Sequence, residues 1–375
     1  MDFAEHNASV TALWETYAQG TNERVPVTFA IDEQYRLPLY GCGYREYYQS
    51  AELQLNAQLE TEKVFRETVV HDREMGLPSG SWMVTPQFWM AEREYFGATV
   101  HFQEDDYAWA DPLDLGKAEL IERVRGIDPA ARVREESLYR LWAEMKRLAA
   151  GREFGGRPVR VNLWNGTHGI FTIAAELRGL ERMCLDLLED PVFAAEYLAA
   201  VTEALLGRML AWGGALETGV TYPTEAMWGG PDDSLQLLSE RTCREHVLPH
   251  LRRLYDRMSR GPRTIHLCGK SQQHYQMLHE ELGLTLFDGP GVYADLGRMR
   301  EECAGPIEVN AQFNNTVLIT GPAAEIEREI ARVLTPAAKR GKINLVGYVP
   351  LGARAENLRL AYAAGKKYGE MMIDE

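Results

Sequence analysis

The feature that most constrains the fold of this chain is a regular alternation of short apolar runs with amphipathic helical stretches. Eight runs of four to seven residues are rich in apolar and β-branched side chains, as buried parallel strands are. They lie at Val25–Ile31, Gly80–Val84, Val159–Leu163, Gly219–Tyr222, Arg263–Cys268, Leu284–Phe287, Ile307–Ala311 and Ile343–Val346. Strands that alternate with helices indicate a parallel sheet, and eight such units predict a closed (β/α)8 TIM barrel of the α/β class.

Several of the intervening helices carry readable start signals. Asp190-Pro191 combines an acidic N-cap with a proline at the first helical position, which predicts a helix running to about Trp212. Ser239 precedes a second helix whose apolar residues recur at helical spacing. An open, doubly wound sheet is the alternative architecture, but no G-x-G-x-x-G follows a predicted strand.

The segment 35–156 departs from the alternation. It holds one predicted strand and many aromatic residues. We interpret it as an N-terminal helical extension, with insertions, that covers the mouth of the barrel, and a small accessory domain is the alternative. Residues 1–375 are therefore expected to form a single barrel domain.

Composition narrows the class of protein. The 375 residues are 45% hydrophobic and 25% charged, which is enough apolar chain for a large core. A net charge of −15 disfavours nucleic acid as a partner, since such a partner requires a basic face. Five widely spaced cysteines, no signal peptide and no long apolar run indicate a cytoplasmic protein that does not bind a membrane.

In a barrel of this kind the active site lies at the carboxyl ends of the strands, where this sequence places many polar residues. Polar groups that end apolar strands are costly unless they face a water-filled site. Asp32 and Asp288 have a second interpretation, because either of them could cap the helix that follows. The residues expected to bind substrate are Asp32, Trp164, Asn165, Glu225, Asn310, Gln312 and Tyr348.

The strongest local signal is the pair His266 and Cys268 at the end of the fifth predicted strand. Residues i and i+2 of a strand point to the same face, so the imidazole and the thiol lie side by side while Leu267 faces away. Nitrogen and sulfur donors together suit Zn²⁺. The pair therefore predicts half of a zinc site, and Gly269 allows a sharp turn after it.

Zinc requires more than two ligands. Asp288 ends the next predicted strand and is expected to be a third metal ligand, in preference to Cys303, which follows a helix. Asp232 and Asp233 form an acidic pair in the loop expected after the fourth strand. Paired carboxylates can perform acid–base chemistry, so both are candidate catalytic residues, although a solvated turn is equally compatible with them.

These motifs resemble the uroporphyrinogen decarboxylase superfamily over nearly the whole chain. The matching stretches are Phe171–Gly179, Asp232-Asp233, His266–Gly269 and Glu356–Leu358. The superfamily has a (β/α)8 barrel, which agrees with the strand count. It includes porphyrinogen decarboxylases, zinc-dependent methylcobalamin methyltransferases and, more distantly, cobalamin-independent methionine synthase.

Within the superfamily, the motifs resemble the methyltransferases more than the decarboxylases. The methyltransferases carry H-x-C-G, which His266–Gly269 matches. The decarboxylases carry R-Q-A-G-R after the first strand, where this chain has Ile31–Tyr35, and an aspartate in S-D-I-L that has no counterpart here. Porphyrinogen decarboxylation is therefore not expected.

The resemblance implies a zinc-dependent methyltransferase that moves a methyl group between a corrinoid and a thiol or tetrahydrofolate acceptor. The chain has no D-x-H-x-x-G motif for binding a corrinoid, so a partner corrinoid protein would supply methylcobalamin. The methyltransferases draw a third zinc ligand, a cysteine, from the last strand, and that position aligns with Gly347. Asp288 or Tyr348 would then complete the site. A homodimer is expected from the same resemblance.

Two other functions stay open at this stage. One is a decarboxylase or other lyase of the superfamily that acts on a non-porphyrin substrate, with Asp232, Asp233 or Asp32 as acid–base groups. The other is a binding protein that has lost its catalytic site, which the glycine at position 347 favours and the retained His266 and Cys268 disfavour.

Overall fold

The computed structural model of the chain describes residues 2–164, 166–215 and 221–371. The chain folds into two compact units, each built from segments that are far apart in sequence. Unit 1 comprises Met1–Thr85, Met145–Asn162 and Gly289–Glu375, and unit 2 comprises Pro86–Glu144 and Leu163–Asp288.

The described strands are short and follow most of the predicted positions. They are β1 (Val27–Ala30), β2 (Trp82–Val84), β3 (Val100–His101), β4 (Trp109–Ala110), β5 (Glu153–Phe154), β6 (Arg157–Val161), β7 (Trp228–Pro231), β8 (Arg263–His266), β9 (Leu284–Asp288), β10 (Glu308–Gln312) and β11 (Ile343–Tyr348). Every predicted strand except the fourth overlaps one of them.

The helices fill the intervals between the strands. They are α1 (Phe3–Gln19), α2 (Glu33–Tyr40), α3 (Tyr44–Gln49), α4 (Ala51–Thr68), α5 (Ala91–Tyr95), α6 (Lys117–Arg125), α7 (Pro129–Glu135), α8 (Ser137–Ala149), α9 (Ile170–Arg178), α10 (Leu180–Glu189), α11 (Pro191–Ala215), α12 (Glu240–Thr242), α13 (Leu248–Met258), α14 (Tyr275–Leu282), α15 (Leu296–Glu302), α16 (Val317–Thr320), α17 (Ala323–Val333) and α18 (Ala355–Tyr368). Short 3-10 turns lie at Asp233–Leu237 and Gln272–His274, and a π-helical turn at Cys243–Val247.

The helix start signals read from the sequence are confirmed. The Asp190 carboxylate accepts a hydrogen bond from the backbone N–H of Phe193 at 3.2 Å, at the start of α11. The Ser239 hydroxyl caps α12 by accepting from the N–H of Thr242 at 3.0 Å. Within the described ranges, no helix combines the length and the apolar character needed to cross a membrane.

Residues 35–156 contain α3 to α8 together with the short strands β2 to β5, and they are divided between the two units. In unit 1, β2 pairs in parallel with β6, and β5 pairs antiparallel with β6. In unit 2, β3 and β4 form an antiparallel hairpin. The expected position of this segment over a barrel mouth stays a prediction.

Unit 1 is organised on three parallel strands in the order β1, β11, β10, with Val27 opposite Leu345 and Ala311 opposite the same leucine. All three side chains are fully buried. The buried Asp72 carboxylate accepts hydrogen bonds from the N–H of Val27 at 2.7 Å and from the guanidinium of Arg24 at 2.5 Å. A buried carboxylate needs such partners, so these bonds fix the start of β1.

Unit 2 is organised on the parallel strands β7, β8 and β9. Their last residues are in register, because Pro231 lies opposite His266 and His266 lies opposite Asp288. Ile265 and Phe287 are buried within the unit, so the residues that follow the strands emerge together at one edge. Parallel strands end at a common edge of a sheet, and that edge carries the polar residues described below.

The fourth strand predicted at Gly219–Tyr222 is not found in the described part of that range. Thr221 and Tyr222 form no strand, Gly219 and Val220 lie outside the described residues, and the next described strand is β7. Its two glycines, Gly229 and Gly230, allow backbone contacts, since a Cβ on Gly230 would lie 2.0 Å from the carbonyl oxygen of Thr167. A strand of Trp-Gly-Gly-Pro has none of the β-branched residues by which strands are recognised.

Candidate metal centre

The ends of β7 and β8 bring the acidic pair beside the His-x-Cys motif. The backbone N–H of Asp232 donates to the carbonyl of His266 at 3.1 Å, which extends the pairing of the two strands by one residue. Asp233 then accepts a hydrogen bond through Oδ1 from the backbone N–H of Cys268 at 2.7 Å. The acidic pair thus lies directly after β7, as a residue pair expected to follow a strand should, and Asp233 starts a 3-10 turn.

Three side chains at this edge can present donor atoms to one metal ion. A carboxylate oxygen of Asp233, a ring nitrogen of His266 and the sulfur of Cys268 all lie within 4.8 Å of one another. The Asp233 Oδ1 atom is 4.0 Å from His266 Nε2. One oxygen, one nitrogen and one sulfur donor are all accepted ligands of Zn²⁺, so the donor set fits zinc.

Asp288, the predicted third ligand, lies on the other side of the His266 ring. Its Oδ2 atom is 3.9 Å from His266 Nδ1. The Asp288 carboxylate therefore faces Nδ1 of the His266 ring, whereas the Asp233 carboxylate faces Nε2. Metal-binding histidines commonly direct their second nitrogen to a carboxylate, so the geometry favours an orienting contact over direct ligation.

The thiol of Cys268 lies in surroundings that oppose its ionisation. Desolvation by surrounding protein atoms, followed by the nearby carboxylate of Asp233, raises the pKa of Cys268 to about 12, although the residue as a whole is exposed. The thiol therefore holds its proton at neutral pH until a cation arrives. A bound metal ion reverses this preference, because it favours the thiolate.

Asp232, the other half of the acidic pair, is completely enclosed. Its Oδ1 atom accepts hydrogen bonds from the backbone N–H and the hydroxyl of Thr172, both at 2.8 Å. Thr172 is in the first turn of α9, whose own N-cap, Gly169, has no side chain, so Asp232 caps this helix from a neighbouring strand. Burial raises the pKa of Asp232 to about 6, and Oδ2 is a buried atom with no hydrogen-bond partner in the described part of the chain.

The loop that leads into α9 packs directly against β7. The N–H of Gly169 donates to the carbonyl of Pro231 at 2.6 Å. A Cβ on Gly169 would lie 2.0 Å from the carboxyl carbon of Asp232, so only glycine allows this approach. Trp164, a predicted substrate contact in this loop, is 42% exposed, and Asn165 lies outside the described residues.

A histidine in the same loop, His168, was not among the residues predicted from the sequence. The Nδ1 atom of His168 is 3.1 Å from Oε2 of Glu92, a fully buried residue of α5. Glu92 also accepts from the backbone N–H of His168 at 3.2 Å. The flanking glycines Gly166 and Gly169 were the available signal, since they mark a tightly packed backbone.

Four other predicted substrate contacts, Asp32, Asn310, Gln312 and Tyr348, belong to unit 1. The Asp32 side chain caps α2 by accepting from the N–H of Gln34 at 3.0 Å, which is the second interpretation offered for it. Asn310 accepts through Oδ1 from Asn344 at 3.4 Å, and Gln312 ends β10, half-buried. Tyr348 ends β11 and is 38% exposed.

Gly347 has no space for a side chain. A Cβ at this position would lie 2.8 Å from the rings of both Phe29 and Phe313, closer than real Cβ contacts. The position that aligns with the superfamily's last-strand cysteine is therefore closed by aromatic packing. Neither a cysteine nor any other ligand fits there unless the two rings move.

The expected position of Glu225 is wrong. It precedes β7, is exposed, and lies at the opposite end of that strand from Asp232 and Asp233. The cause is the misplaced fourth strand, since Glu225 follows the predicted strand and precedes the observed one. The structural reason for expecting it to bind substrate is thereby removed.

A comparison with protein-family models identifies the chain's relatives. The model of the uroporphyrinogen decarboxylase (URO-D) family matches residues 11–368. The chain belongs to this family. The fold of the URO-D family is a (β/α)8 barrel, so the predicted fold class is confirmed, and the open doubly wound alternative is excluded.

Two solved structures are similar to this URO-D family member. A methyltransferase from Methanosarcina mazei superposes with a TM-score of 0.63 at 13% identity, over 96% of this chain and 98% of its own. A B12-independent methionine synthase from Shewanella sp. W3-18-1, in complex with selenomethionine, gives a TM-score of 0.42 at 10% identity, over 92% of this chain and 97% of its own. The first likeness supports the fold. A comparison with curated protein sequences finds no match.

Proposed function

We propose that this protein is a zinc-dependent methyltransferase that moves a methyl group between a corrinoid, carried by a partner protein, and a thiol or tetrahydrofolate acceptor. The observation that carries the proposal is the group formed by Asp233, His266 and Cys268, which offers oxygen, nitrogen and sulfur donors within 4.8 Å of one another. Membership of the URO-D family and the likeness to a solved methyltransferase agree with it.

In this proposal Asp233, His266 and Cys268 would hold the zinc ion. Catalytic zinc sites in general combine three protein ligands with a substrate or water, so a bound zinc ion could also bind the acceptor. Bound zinc would lower the pKa of a thiol acceptor, so that a thiolate is available at neutral pH to attack a methyl group. Asp288 keeps the His266 ring in orientation through Nδ1. The candidate acid–base role of Asp233 is thus replaced by metal ligation.

Asp232 acts as a positioning residue in the same proposal. Its carboxylate caps α9 through Thr172, and its backbone N–H bonds to the carbonyl of His266. These contacts join the loop before α9 to the strand that carries the metal ligands. Replacement of Asp232 would therefore displace His266 without removing a donor atom.

We further propose that Trp164 of unit 2 contacts the substrate, while substrate contacts by Asp32, Asn310, Gln312 and Tyr348 of unit 1 stay separate predictions. Trp164 offers an exposed aromatic face that can stack on a planar or apolar group, and Tyr348 offers a partly exposed phenol. None of the five cysteines, which all lie in the described ranges, forms a disulfide, and this supports a reducing, cytoplasmic location. A homodimer is part of the proposal and is tested by sedimentation.

The direct test is methyl transfer in vitro. Purified zinc-loaded protein is mixed with methylcobalamin and either 2-mercaptoethanol or tetrahydrofolate, and the loss of the methylcobalamin absorption spectrum is followed. We expect demethylation with at least one acceptor, and loss of that activity in Cys268→Ser but not in Cys184→Ser, a matched cysteine variant within α10. Wild-type protein that demethylates methylcobalamin no faster than free zinc would contradict the proposal.

A lyase is the second candidate, and one observation favours it. Asp232 is a buried carboxyl group with a pKa raised to about 6 and one oxygen without a partner among the described residues. Such a group can donate a proton near neutral pH. Turnover of a carboxylated substrate without any corrinoid, abolished in Asp232→Asn and retained in Cys268→Ser, would replace the methyltransferase proposal with this one.

A further inference from the structure

His168 has the geometry of an oriented proton acceptor. Its Nδ1 atom faces the Glu92 carboxylate at 3.1 Å, so that Nδ1 carries a hydrogen and donates it. This leaves Nε2 as the second nitrogen, and within the described part of the chain it has no hydrogen-bond partner. A carboxylate that fixes one ring nitrogen and directs the other outward is the arrangement of a general base.

Glu92 is held in its ionised form by buried cations. The Arg208 guanidinium lies 3.6 Å from its Oε1 and the Arg93 guanidinium 3.7 Å from its Oε2. Desolvation opposes ionisation, but His168 and the two arginines outweigh it and hold the pKa of Glu92 well below its usual range. Glu92 therefore acts as a permanent acceptor for the Nδ1–H group of His168.

The two arginines are anchored in turn by carboxylates. Arg208 makes a bidentate pair with the buried Glu136, at 2.9 and 2.7 Å, and Arg93 pairs with Glu176. Buried ion pairs add little net stability compared with apolar packing, because desolvation of the charges offsets their attraction. A network of this size that ends on one loop histidine therefore points to function at that histidine.

The loop places His168 next to the metal-binding edge. Its neighbour Thr167 touches the backbone of Gly230, and its neighbour Gly169 touches Asp232, which directly precedes the metal ligand Asp233. The ring of the exposed Trp164 packs edge-on against the His168 imidazole, with centroids 6.0 Å apart. His168 thus has a buried carboxylate on one side and an exposed aromatic ring on another, at the border of the proposed site.

We infer that His168 accepts the proton that a thiol acceptor loses in the proposed reaction. The S–H bond breaks with its electron pair left on sulfur, and the proton adds to Nε2 of His168. The sulfur then forms a bond to the methyl carbon, while the cobalt–carbon bond of the methylcobalamin substrate breaks with its pair left on cobalt. The proton finally passes from Nε2 to solvent. This inference rests on the proposed methyl transfer and adds a proton acceptor to it.

The kinetic test uses His168→Ala with added imidazole. We expect kcat to fall about 100-fold with little change in KM, since general base catalysis contributes on that order. Free imidazole should restore at least a tenfold gain in His168→Ala and none in His246→Ala, a histidine of the π-helical turn. Zinc content should equal that of wild type. An unchanged kcat, or a loss that imidazole does not restore, would overturn the inference.

The closing experiment does not depend on turnover. Protein labelled with ¹⁵N-histidine and loaded with zinc is titrated with 2-mercaptoethanol at pH 8, and His168→Ala and His266→Ala assign the two signals. We expect the Nε2 signal of His168 to shift as the thiol binds. If the His266 signal responds and the His168 signal does not, the inference fails alone. If neither responds and methyl transfer is absent, the proposed function fails and the inference with it.

Discussion

The carboxyl ends of β8 and β11 differ in what occupies the space at each strand end. At β8, His266 and Cys268 present nitrogen and sulfur donors beside the carboxylate of Asp233. At β11, the rings of Phe29 and Phe313 close the position of Gly347. The resemblance implies that the methyltransferases of the superfamily draw a zinc ligand from each of these strands. In our proposal the third ligand of this chain is instead Asp233, which follows β7, while Gly347 in β11 is closed by packing.

The largest effect on zinc binding is expected when the oxygen donor at the end of β7 is removed. Asp233→Asn keeps the size of the side chain and an oxygen that can accept from the N–H of Cys268. Loss of the charge should weaken zinc binding about 100-fold, or ~2.7 kcal/mol. Competition with a chromogenic chelator measures the affinity, with Asp256→Asn on α13 as a surface control. An affinity within threefold of wild type would show that Asp233 is not a ligand.

The variant Gly347→Cys, which introduces the cysteine of the superfamily's methyltransferases, tests the carboxyl end of β11. Gly347→Cys should not strengthen zinc binding, and it should lower the free energy of unfolding by about 2 kcal/mol, because its Cβ would overlap two rings. Urea unfolding measures the loss. The double variant Gly347→Cys/Phe313→Leu should recover part of it, since the smaller side chain provides space. A single variant as stable as wild type would contradict the packing argument.

A pH experiment tests the surroundings of Phe29, one of the two residues whose rings close the position of Gly347. His71 accepts through Nδ1 from the N–H of Phe29 at 3.1 Å, and burial lowers the pKa of His71 to about 3. The folded state therefore resists a proton that the unfolded chain binds below about pH 6.5, so stability is lost as the pH falls from there toward 3.

This group alone should cost about 2 kcal/mol between pH 7 and pH 5. His71→Asn retains an acceptor for Phe29 and should show a smaller loss over the same range. The free energy of unfolding, measured in urea at both pH values, provides the comparison. If wild type and His71→Asn lose the same free energy of unfolding between the two pH values, His71 binds a proton in the folded state as readily as in the unfolded chain.

The smallest effect is expected at Asp288. Its carboxylate is 3.9 Å from His266 Nδ1, and removal of such an orienting contact typically weakens metal binding about tenfold. Asp288→Asn should therefore affect zinc affinity less than Asp233→Asn does, in the same chelator competition. If the order is reversed, Asp288 is the ligand, as sequence analysis had it, and Asp233 is the supporting group.

The sequence predicted the fold and the proximity of His266 and Cys268 because both depend on local periodicity. Strands that alternate with helices indicate the barrel, and the i, i+2 spacing of His266 and Cys268 puts them on one face. The distinct surroundings of Asp232 and Asp233 could not be predicted. The two residues are identical and adjacent, and only the packing of α9 decides which of them is enclosed.

The other misses also have physical causes. Three of the four residues of β7 are Gly229, Gly230 and Pro231, whose residue types indicate a turn. The strand was therefore predicted too early in the chain, and the position of Glu225 was predicted wrongly with it. The contact between Glu92 and His168 joins residues 76 positions apart, so no local sequence pattern indicates it. The closure of Gly347 depends on two rings from other strands and loops, which appear only in the folded chain.

The most direct test of the central claim is the zinc content of purified protein, measured by inductively coupled plasma mass spectrometry. Wild type is compared with His266→Ala, Cys268→Ser and the control Cys184→Ser, after dialysis against a fixed free zinc concentration. We expect about one zinc per chain in wild type and control, and loss of most of it in the two ligand variants. Wild-type protein without zinc, or ligand variants that keep it, would contradict the metal centre described here.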